Sequence, residues 1–180
     1  MTSSGRSEAT SFTVPEMSVV IPVRNGMPWL NSQIEALRHQ RCGLAWELVI
    51  ADNGSTDDTA AAVLAAAADF PVPVRLIDAS ARRGAAHARN EGARAALAAK
   101  LAFCDADDVV ADDWVEAAAG ALDASQVAVG LLVELSDPLD RSAPALNPGC
   151  LVGSSVLTGD LVVRRDTCLQ VYECDTSFPP

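Results

Sequence analysis

The sequence of 180 residues has few of the side chains on which several common kinds of site depend. It has only two histidines, so a histidine metal centre or a Ser-His-Asp triad has little material to draw on. Its five cysteines are odd in number and include no C-x-x-C pair, which argues against a disulfide framework and against a zinc site. No apolar run reaches the roughly 18 residues that a membrane-spanning helix requires.

Basic residues are also scarce, since 13 Lys and Arg face 24 Asp and Glu, for a formal net charge of -11. Nucleic-acid binding and docking on anionic lipid both require a basic face, so we exclude both classes of partner. Residues 1–15 are rich in Ser and Thr and lack the apolar core of a signal peptide, which indicates a flexible tail. The unpaired cysteines and the lack of a signal peptide together predict a cytoplasmic protein.

What the sequence does contain is an alternation of apolar runs and helical patterns. Five runs predict strands, at 17–23, 46–51, 74–78, 101–104 and 127–135. Four helices are predicted between them, at 29–39, 57–68, 84–100 and 112–122, with Ser55 or Thr56 as the cap of the second. This alternation predicts a three-layer α/β fold with a mostly parallel central sheet. A further short strand is predicted at 161–163.

Charge is segregated along the chain. Residues 101–140 contain ten acidic side chains and no Lys or Arg, whereas residues 75–100 contain six of the 13 basic ones. Asp105, Asp107 and Asp108 follow a predicted strand, and carboxylates this close repel one another unless a cation joins them. Mg²⁺ and Mn²⁺ prefer oxygen ligands and often share them with substrate phosphates, which arginines also bind. The pattern predicts a diphosphate held between arginine and a divalent cation.

Each of these signals also has a plainer interpretation. The acidic cluster fits a solvated turn before a helix, and Arg89 alone fits a solvated charge on a helix surface. What favours a site is that four polar segments follow predicted strands and therefore meet at one edge of the sheet. The segments are Pro22 to Gly26, Asp52 to Ser55, Ala79 to Gly84 and Asp105 to Asp108.

Five segments, in this order, resemble motifs of the family-2 glycosyltransferases, which have the GT-A fold. The segments are Ser18–Asn25, Glu47–Asp57, Arg83–Gly92, Phe103–Asp108 and Asp112–Val115. They are similar to the family's I-P-V-Y-N strand, E-I-I-V-V-D-D-G-S-T-D segment, N-x-G-x-x-x-A-R-N-x-G helix start, F-L-D-A-D-D motif and P-D-W-L. The match covers about residues 17–122, and it implies inverting transfer of a sugar from a nucleoside diphosphate to an acceptor hydroxyl.

The resemblance also implies roles for particular residues. Those that would bind the nucleotide sugar, with a UDP-sugar favoured, are Pro22, Arg24, Asn25, Asp52, Arg82, Arg83 and Asp105. Asp107, together with Asp105, would hold Mn²⁺ or Mg²⁺ against the diphosphate. The implied organisation is a nucleotide-sugar-binding domain at 16–135, followed by an incomplete acceptor-side segment at 136–180. The acceptor itself is not indicated.

The sequence departs from the family pattern in three places. Arg24 stands where the family has Tyr, and Asn53 stands where it has a second Asp. Residues 169–178 resemble the family's V-G-G-F-D-x-x-F, but the Glu-Asp motif of the general base does not follow, so we expect that base beyond Pro180 and a truncated enzyme. Two other hypotheses stay open. One is a catalytically inactive nucleotide-binding module of the same fold, and the other is a Mg²⁺-dependent nucleotidyltransferase, whose glycine-rich loop residues 25–28 match poorly.

Overall fold

The computed structural model describes residues 13–129 and 161–170, and within them six strands form one sheet. The strands are β1 (Met17–Val23), β2 (Trp46–Asp52), β3 (Val74–Asp78), β4 (Lys100–Phe103), β5 (Val127–Val129) and β6 (Leu161–Arg164). Their order across the sheet is β3-β2-β1-β4-β6-β5. The pairs β1–β2, β1–β4 and β2–β3 are parallel, whereas β6 runs antiparallel to β4 and to β5. The predicted, mostly parallel sheet is confirmed.

The strands form where the sequence has continuous apolar runs because helices cover both faces of the sheet. All seven residues of β1 are buried, including Ser18 and Pro22. The first four predicted strands agree with the structure to within one residue at each end. The predicted strand at 127–135 is described only as far as Val129, and its remainder lies outside the described residues.

Five helices are described, α1 (Trp29–Arg38), α2 (Thr59–Ala67), α3 (Ala85–Ala95), α4 (Trp114–Ala124) and α5 (Arg165–Gln170). The prediction that the third helix continues to Lys100 is wrong, because α3 ends at Ala95. The backbone N–H of Leu97 donates to the Glu47 carboxylate (2.7 Å), and that of Ala98 donates to Ser18 Oγ (3.0 Å). These two N–H groups therefore donate to side chains of β1 and β2 and not to the carbonyls of the preceding helical turn, so the helix does not continue. The sequence did not predict α5.

The predicted cap of α2 is also wrong. The helix begins at Thr59, and the Asp57 carboxylate accepts the hydrogen bond from the Thr59 N–H (3.1 Å). Ser55 instead accepts a hydrogen bond from the backbone N–H of Asn25 (2.9 Å). Ser55 therefore binds the loop after β1, and Asp57 takes the first N–H of the helix in its place.

The helices lie in two layers. Apolar residues of α1, α2 and α4, such as Leu37, Val63 and Leu122, form one cluster with β1 and β2. Residues of α3 and α5 form a second cluster with Phe103 on the opposite face. At Gly92 α3 approaches β1 so closely that a Cβ would collide with Val20. None of the helices described here is both long and apolar enough to cross a membrane.

Candidate functional site

A cavity of about 290 Å³ opens at the carboxyl ends of β1 and β4. These two strands are neighbours in the sheet, and the chain leaves β1 toward β2 on one side while β4 lies on the other. Parallel sheets bind ligands at such a switch point, because the loops that follow the two strands diverge there and leave a crevice. The lining residues are Pro22, Val23, Arg24, Asn25, Gly26, Trp29, Ala85, Arg89, Asp105, Ala106 and Asp107.

The structure brings together five of the eight predicted site residues in this cavity, namely Pro22, Arg24, Asn25, Asp105 and Asp107. The other three, Asp52, Arg82 and Arg83, are not among its lining residues. Asp52 ends β2, and one of its carboxylate oxygens accepts a hydrogen bond from the Ser55 N–H (2.8 Å). Arg82 and Arg83 are exposed in the loop between β3 and α3.

Arg89 and Asp105 form an ion pair inside the cavity, with an N···O distance of 2.5 Å. The plainer interpretation of Arg89 as a solvated helix charge is wrong, because the residue is only 7% exposed. Its Nε is buried without a hydrogen-bond partner among the described residues, and Asp105 keeps 37% of its side chain exposed. A buried guanidinium with unused donor capacity, next to a cavity, is suited to bind an anion.

The other two carboxylates of the acidic cluster have different environments. Asp107 is exposed and makes no hydrogen bond or ion pair within residues 13–129 and 161–170. Asp108 is partly buried, and its carboxylate accepts a hydrogen bond from the Asp105 N–H (3.1 Å). Burial raises the pKa of Asp108, and the charges of Asp105 and Asp107 raise it further. Asp107 is therefore the carboxylate of the three that is available to a ligand.

The side chains present fit a metal that is shared with a substrate. No group of three or more His, Cys, Asp or Glu within the described part of the chain is arranged to hold a metal by itself. Mg²⁺ often binds through one or two carboxylates and completes its coordination with substrate phosphates. An unengaged Asp107 beside the same cavity as Arg89 suits that arrangement, and Asp105 has one oxygen engaged by Arg89.

Gln33 of α1 and Gln40, which lies two residues beyond the end of that helix, hold the segment 110–115 that follows the acidic cluster, and sequence reasoning missed both. Gln33 is fully buried, and its side-chain oxygen accepts a hydrogen bond from the Val110 N–H (3.1 Å). Gln40 donates to the carbonyl of Ala111 (2.6 Å) and accepts from the N–H of Val115 (2.9 Å). For Gln33 the available signal was an amide at a core-facing position of α1, whereas Gln40 lies beyond the helix and had no such signal.

The loop after β1 is held by the start of α2. Asn25 has a φ of 52°, and its side-chain oxygen accepts hydrogen bonds from the backbone N–H and the hydroxyl of Thr56 (2.8 and 3.3 Å). The N–H groups of Gly26 and Met27 donate to Thr59 Oγ1 (3.0 Å) and to the Asp57 carboxylate (3.2 Å). This loop is thus fixed before any ligand binds, and the Asn25 side-chain oxygen is already engaged.

The family model described as "Glycosyl transferase family 2" matches residues 18–167 of this chain. A curated relative, "Uncharacterized glycosyltransferase YfnE" of Bacillus subtilis, is 37% identical over 98 residues, which are 54% of this chain and 24% of that protein. "O-antigen biosynthesis protein RfbC" of Myxococcus xanthus is 30% identical over 165 residues, which are 87% of this chain and 13% of that protein. The chain thus spans about a quarter or less of the length of these two relatives.

Solved structures with the same fold are less similar in sequence. "S. aureus TarS 1-349 in complex with UDP-GlcNAc" superposes with a TM-score of 0.64 at 20% identity, over 85% of this chain and 46% of that one. "Mannosyltransferase PcManGT from Pyrobaculum calidifontis in complex with GDP-Man and Mn2+" gives a TM-score of 0.62 at 22% identity, over 93% of this chain and 48% of that one. The chain spans about half of each solved structure, and the likeness is one of fold.

Proposed function

The chain belongs to glycosyl transferase family 2 and has the GT-A fold, and on that premise we propose that it binds a nucleoside diphosphate sugar at the carboxyl edge of its sheet. The observation that carries this proposal is the placement of opposite charges in one cavity. Arg89 lines the cavity with a guanidinium that is paired there with one oxygen of Asp105, and Asp107 has a carboxylate without a protein partner among the described residues. A diphosphate bridged by a divalent cation would satisfy both groups at once.

The proposed donor is a nucleotide-diphosphate sugar, with a UDP-sugar favoured. Two proteins of the same fold were solved with UDP-GlcNAc and with GDP-Man and Mn²⁺ respectively, which supports this class of ligand. Their identities to this chain are 20% and 22%, so the choice between uracil and guanine rests on experiment.

In this proposal each residue has a defined task. Pro22 and Arg24 line the base pocket with Asn25, and the second oxygen of Asp52 accepts a hydrogen bond from the base. Asp105, held by Arg89, meets the ribose and supports the metal site. Arg82 and Arg83 approach the base or the diphosphate from the loop before α3. Asp107 binds Mn²⁺ or Mg²⁺.

The proposed reaction is transfer of the sugar to an acceptor hydroxyl with inversion at the anomeric carbon. Bond cleavage leaves negative charge on the departing diphosphate, and a divalent cation bound there stabilises that charge. Arg89 and the arginines of the preceding loop add positive charge in fixed positions. Inversion also requires a general base that takes the proton of the acceptor hydroxyl. We assign no residue among 13–129 and 161–170 to that task.

The test is stabilisation by nucleotide in the presence and absence of metal. At a ligand concentration of about 100 times Kd, binding adds about 2.7 kcal/mol to the free energy of unfolding. We expect UDP or GDP to raise the melting temperature with Mn²⁺ and to do so much less with EDTA. The variant Asp107→Ala should lose the metal-dependent part, whereas Asp58→Ala, which removes an exposed carboxylate at the start of α2, should keep it.

Two outcomes would contradict the proposal in different ways. If nucleotide and Mn²⁺ stabilise the wild type and Asp107→Ala equally, Asp107 is not a metal ligand. If no nucleoside diphosphate stabilises the protein, the proposed donor binding is wrong. Incubation with a UDP-sugar, followed by measurement of released UDP, separates a transferase from a module that only binds.

A further inference from the structure

Asn53 follows β2 directly and binds the loop that connects β3 to α3. Its side-chain NH₂ donates to the carbonyls of Ala79 (2.5 Å) and Arg82 (2.7 Å). Its side-chain oxygen accepts a hydrogen bond from the Gly84 N–H (2.8 Å). One side chain therefore reaches both ends and the interior of the segment 79–84, which we call the arginine loop.

The environment of Asn53 makes these three bonds energetically important. The residue is only 4% exposed, so an unmade hydrogen bond there would not be replaced by bulk water. The arginine loop itself is largely exposed, apart from Ala79, and has little packing of its own. Gly84 has a φ of 124°, a backbone conformation that side-chain-bearing residues rarely adopt. Ala79 anchors the start of the loop in an apolar cluster with Ala51 and Ala88, and Asn53 connects this start to the exposed remainder.

The bonding requires an amide and not a carboxylate. An ionised Asp has no donor, so at this position it would face the carbonyls of Ala79 and Arg82 without a hydrogen between them. It could still accept from Gly84, so two of the three bonds would be lost. The motif that this segment resembles has Asp here, so the Asn of this chain changes the hydrogen-bonding capacity of the position.

We propose that Asn53 is a positioning residue that fixes the arginine loop, so that Arg82 and Arg83 meet the diphosphate of the donor in a preset geometry. This inference rests on the donor binding proposed above. The loop leads directly to Ala85, which lines the cavity, and Arg89 follows one helical turn later. Asn53 itself does not line the cavity, and in this proposal it acts through the two arginines.

The test combines hydrogen exchange with nucleotide affinity. In the wild type we expect the Gly84 N–H to be protected from exchange, with the loss of that protection in Asn53→Ala. We expect Asn53→Asp and Asn53→Ala to weaken UDP binding, measured by calorimetry with Mn²⁺, by about tenfold. Asn31→Asp is the matched control, since it adds the same charge at an exposed position of α1 and should bind UDP as the wild type does.

A double-mutant cycle separates positioning from a general loss of structure. If Asn53 acts through the arginines, Asn53→Asp should weaken UDP binding much less in an Arg82→Ala/Arg83→Ala background. Wild-type UDP affinity in both folded Asn53 variants, or losses that add fully to those of the arginine variants, would overturn the inference. If the wild type binds no nucleotide, the proposed function fails, whereas an unprotected Gly84 N–H in the wild type would refute the loop attachment itself.

Discussion

Two ion pairs at opposite edges of the same sheet show how a structural charge differs from one available to a ligand. At the amino edge, both oxygens of Glu47 are engaged, one by the Ser18 hydroxyl and the Leu97 N–H and the other by Arg75 (3.2 Å). At the carboxyl edge, Arg89 engages one oxygen of Asp105 and keeps a buried Nε without a partner among the described residues. The first pair is satisfied by the protein, and the second has capacity left for a ligand.

Cavity size alone would direct attention to the other edge. A cavity of about 520 Å³ lies beside Glu47 and Arg75, and its walls include Trp46 and Leu97. It is larger than the cavity at Asp105, but its two charged residues already bind each other. Ligand sites combine an enclosed volume with a few convergent polar groups that remain available. We therefore assign the donor to the smaller cavity on its chemistry.

The largest expected effect is the loss of stability when the ion pair between Glu47 and Arg75 is broken. Glu47→Ala removes the carboxylate partner of Arg75, which keeps its hydrogen bond to the Ala95 carbonyl, and removes the buried acceptor of the Ser18 hydroxyl and the Leu97 N–H. We expect the free energy of unfolding, measured by urea denaturation, to fall by about 2–4 kcal/mol, because two buried donors lose their acceptor while the remaining Arg75 charge is partly exposed. Glu35→Ala, which breaks an exposed ion pair with Arg38, should cost about 0.5 kcal/mol.

The affinity of folded Glu47→Ala for UDP is the informative companion measurement. Since Glu47 lies at the opposite edge from the proposed donor site, we expect that affinity to match the wild type. If folded Glu47→Ala binds UDP more weakly than the wild type does, Glu47 also affects the donor site at the opposite edge of the sheet.

Asp105→Asn should lower stability less than Glu47→Ala does and should weaken UDP binding more. The change keeps the shape of the side chain and an acceptor for Arg89 but removes the charge. We expect the free energy of unfolding to fall by about 1–2 kcal/mol, and UDP affinity by about tenfold. Denaturation and calorimetry on the same preparation measure both. A stability loss equal to that of Glu47→Ala with unchanged UDP binding would make Asp105 a structural residue.

The sequence was sufficient for the sheet and for the edge at which the site lies. Apolar runs ended by polar turns predict β1 to β4, because parallel strands are buried on both faces and need continuous apolar sequence. The handedness of the crossovers then brings the polar turns to one edge. Asp105 and Asp107 were found in this way, since they directly follow a strand.

The rest depended on contacts between residues far apart in the chain. The end of α3 is set by Glu47, fifty residues before Leu97, and no local pattern shows this. Arg89 is buried and paired with Asp105, sixteen residues later, whereas its own helix offered only the pattern of a surface charge. Asn53 matters through carbonyls that lie 26 and 29 residues later. Propensity and periodicity describe neighbours in sequence and not such pairs.

Each cavity contains its own tryptophan, which gives a third and smaller test of the comparison. Trp29 lines the cavity at Asp105 and is 65% exposed, whereas Trp46 lines the cavity at Glu47 and is buried. A nucleotide that enters the first cavity changes the surroundings of the Trp29 ring. We expect UDP to alter the tryptophan fluorescence of the wild type and of Trp46→Phe, and to leave that of Trp29→Phe unchanged. If UDP alters the fluorescence of Trp29→Phe and leaves that of Trp46→Phe unchanged, the nucleotide binds at the amino edge.

The smallest effect is expected at Asp57. Substitution there tests whether a carboxylate at the carboxyl edge that already accepts hydrogen bonds from the protein is excluded from ligand binding. Asp57 lies at the carboxyl edge but is engaged by the N–H and hydroxyl of Thr59 and by the Met27 N–H. The hydrogen bond from the Thr59 hydroxyl is the largest cause that lowers the pKa of Asp57.

A carboxyl with a lowered pKa in the folded state stabilises the protein above its unfolded pKa of about 3.9, and this contribution is lost as the pH falls through the folded value. Asp57→Asn should therefore lower the urea midpoint slightly at pH 7 and have a smaller effect on it in strong acid. Asp58→Asn, at the next position, makes no cap hydrogen bond and should leave the midpoint unchanged at both pH values. UDP affinity should stay near the wild-type value in both variants. A large loss of UDP affinity in Asp57→Asn alone would mean that an engaged carboxylate at this edge also takes part in binding.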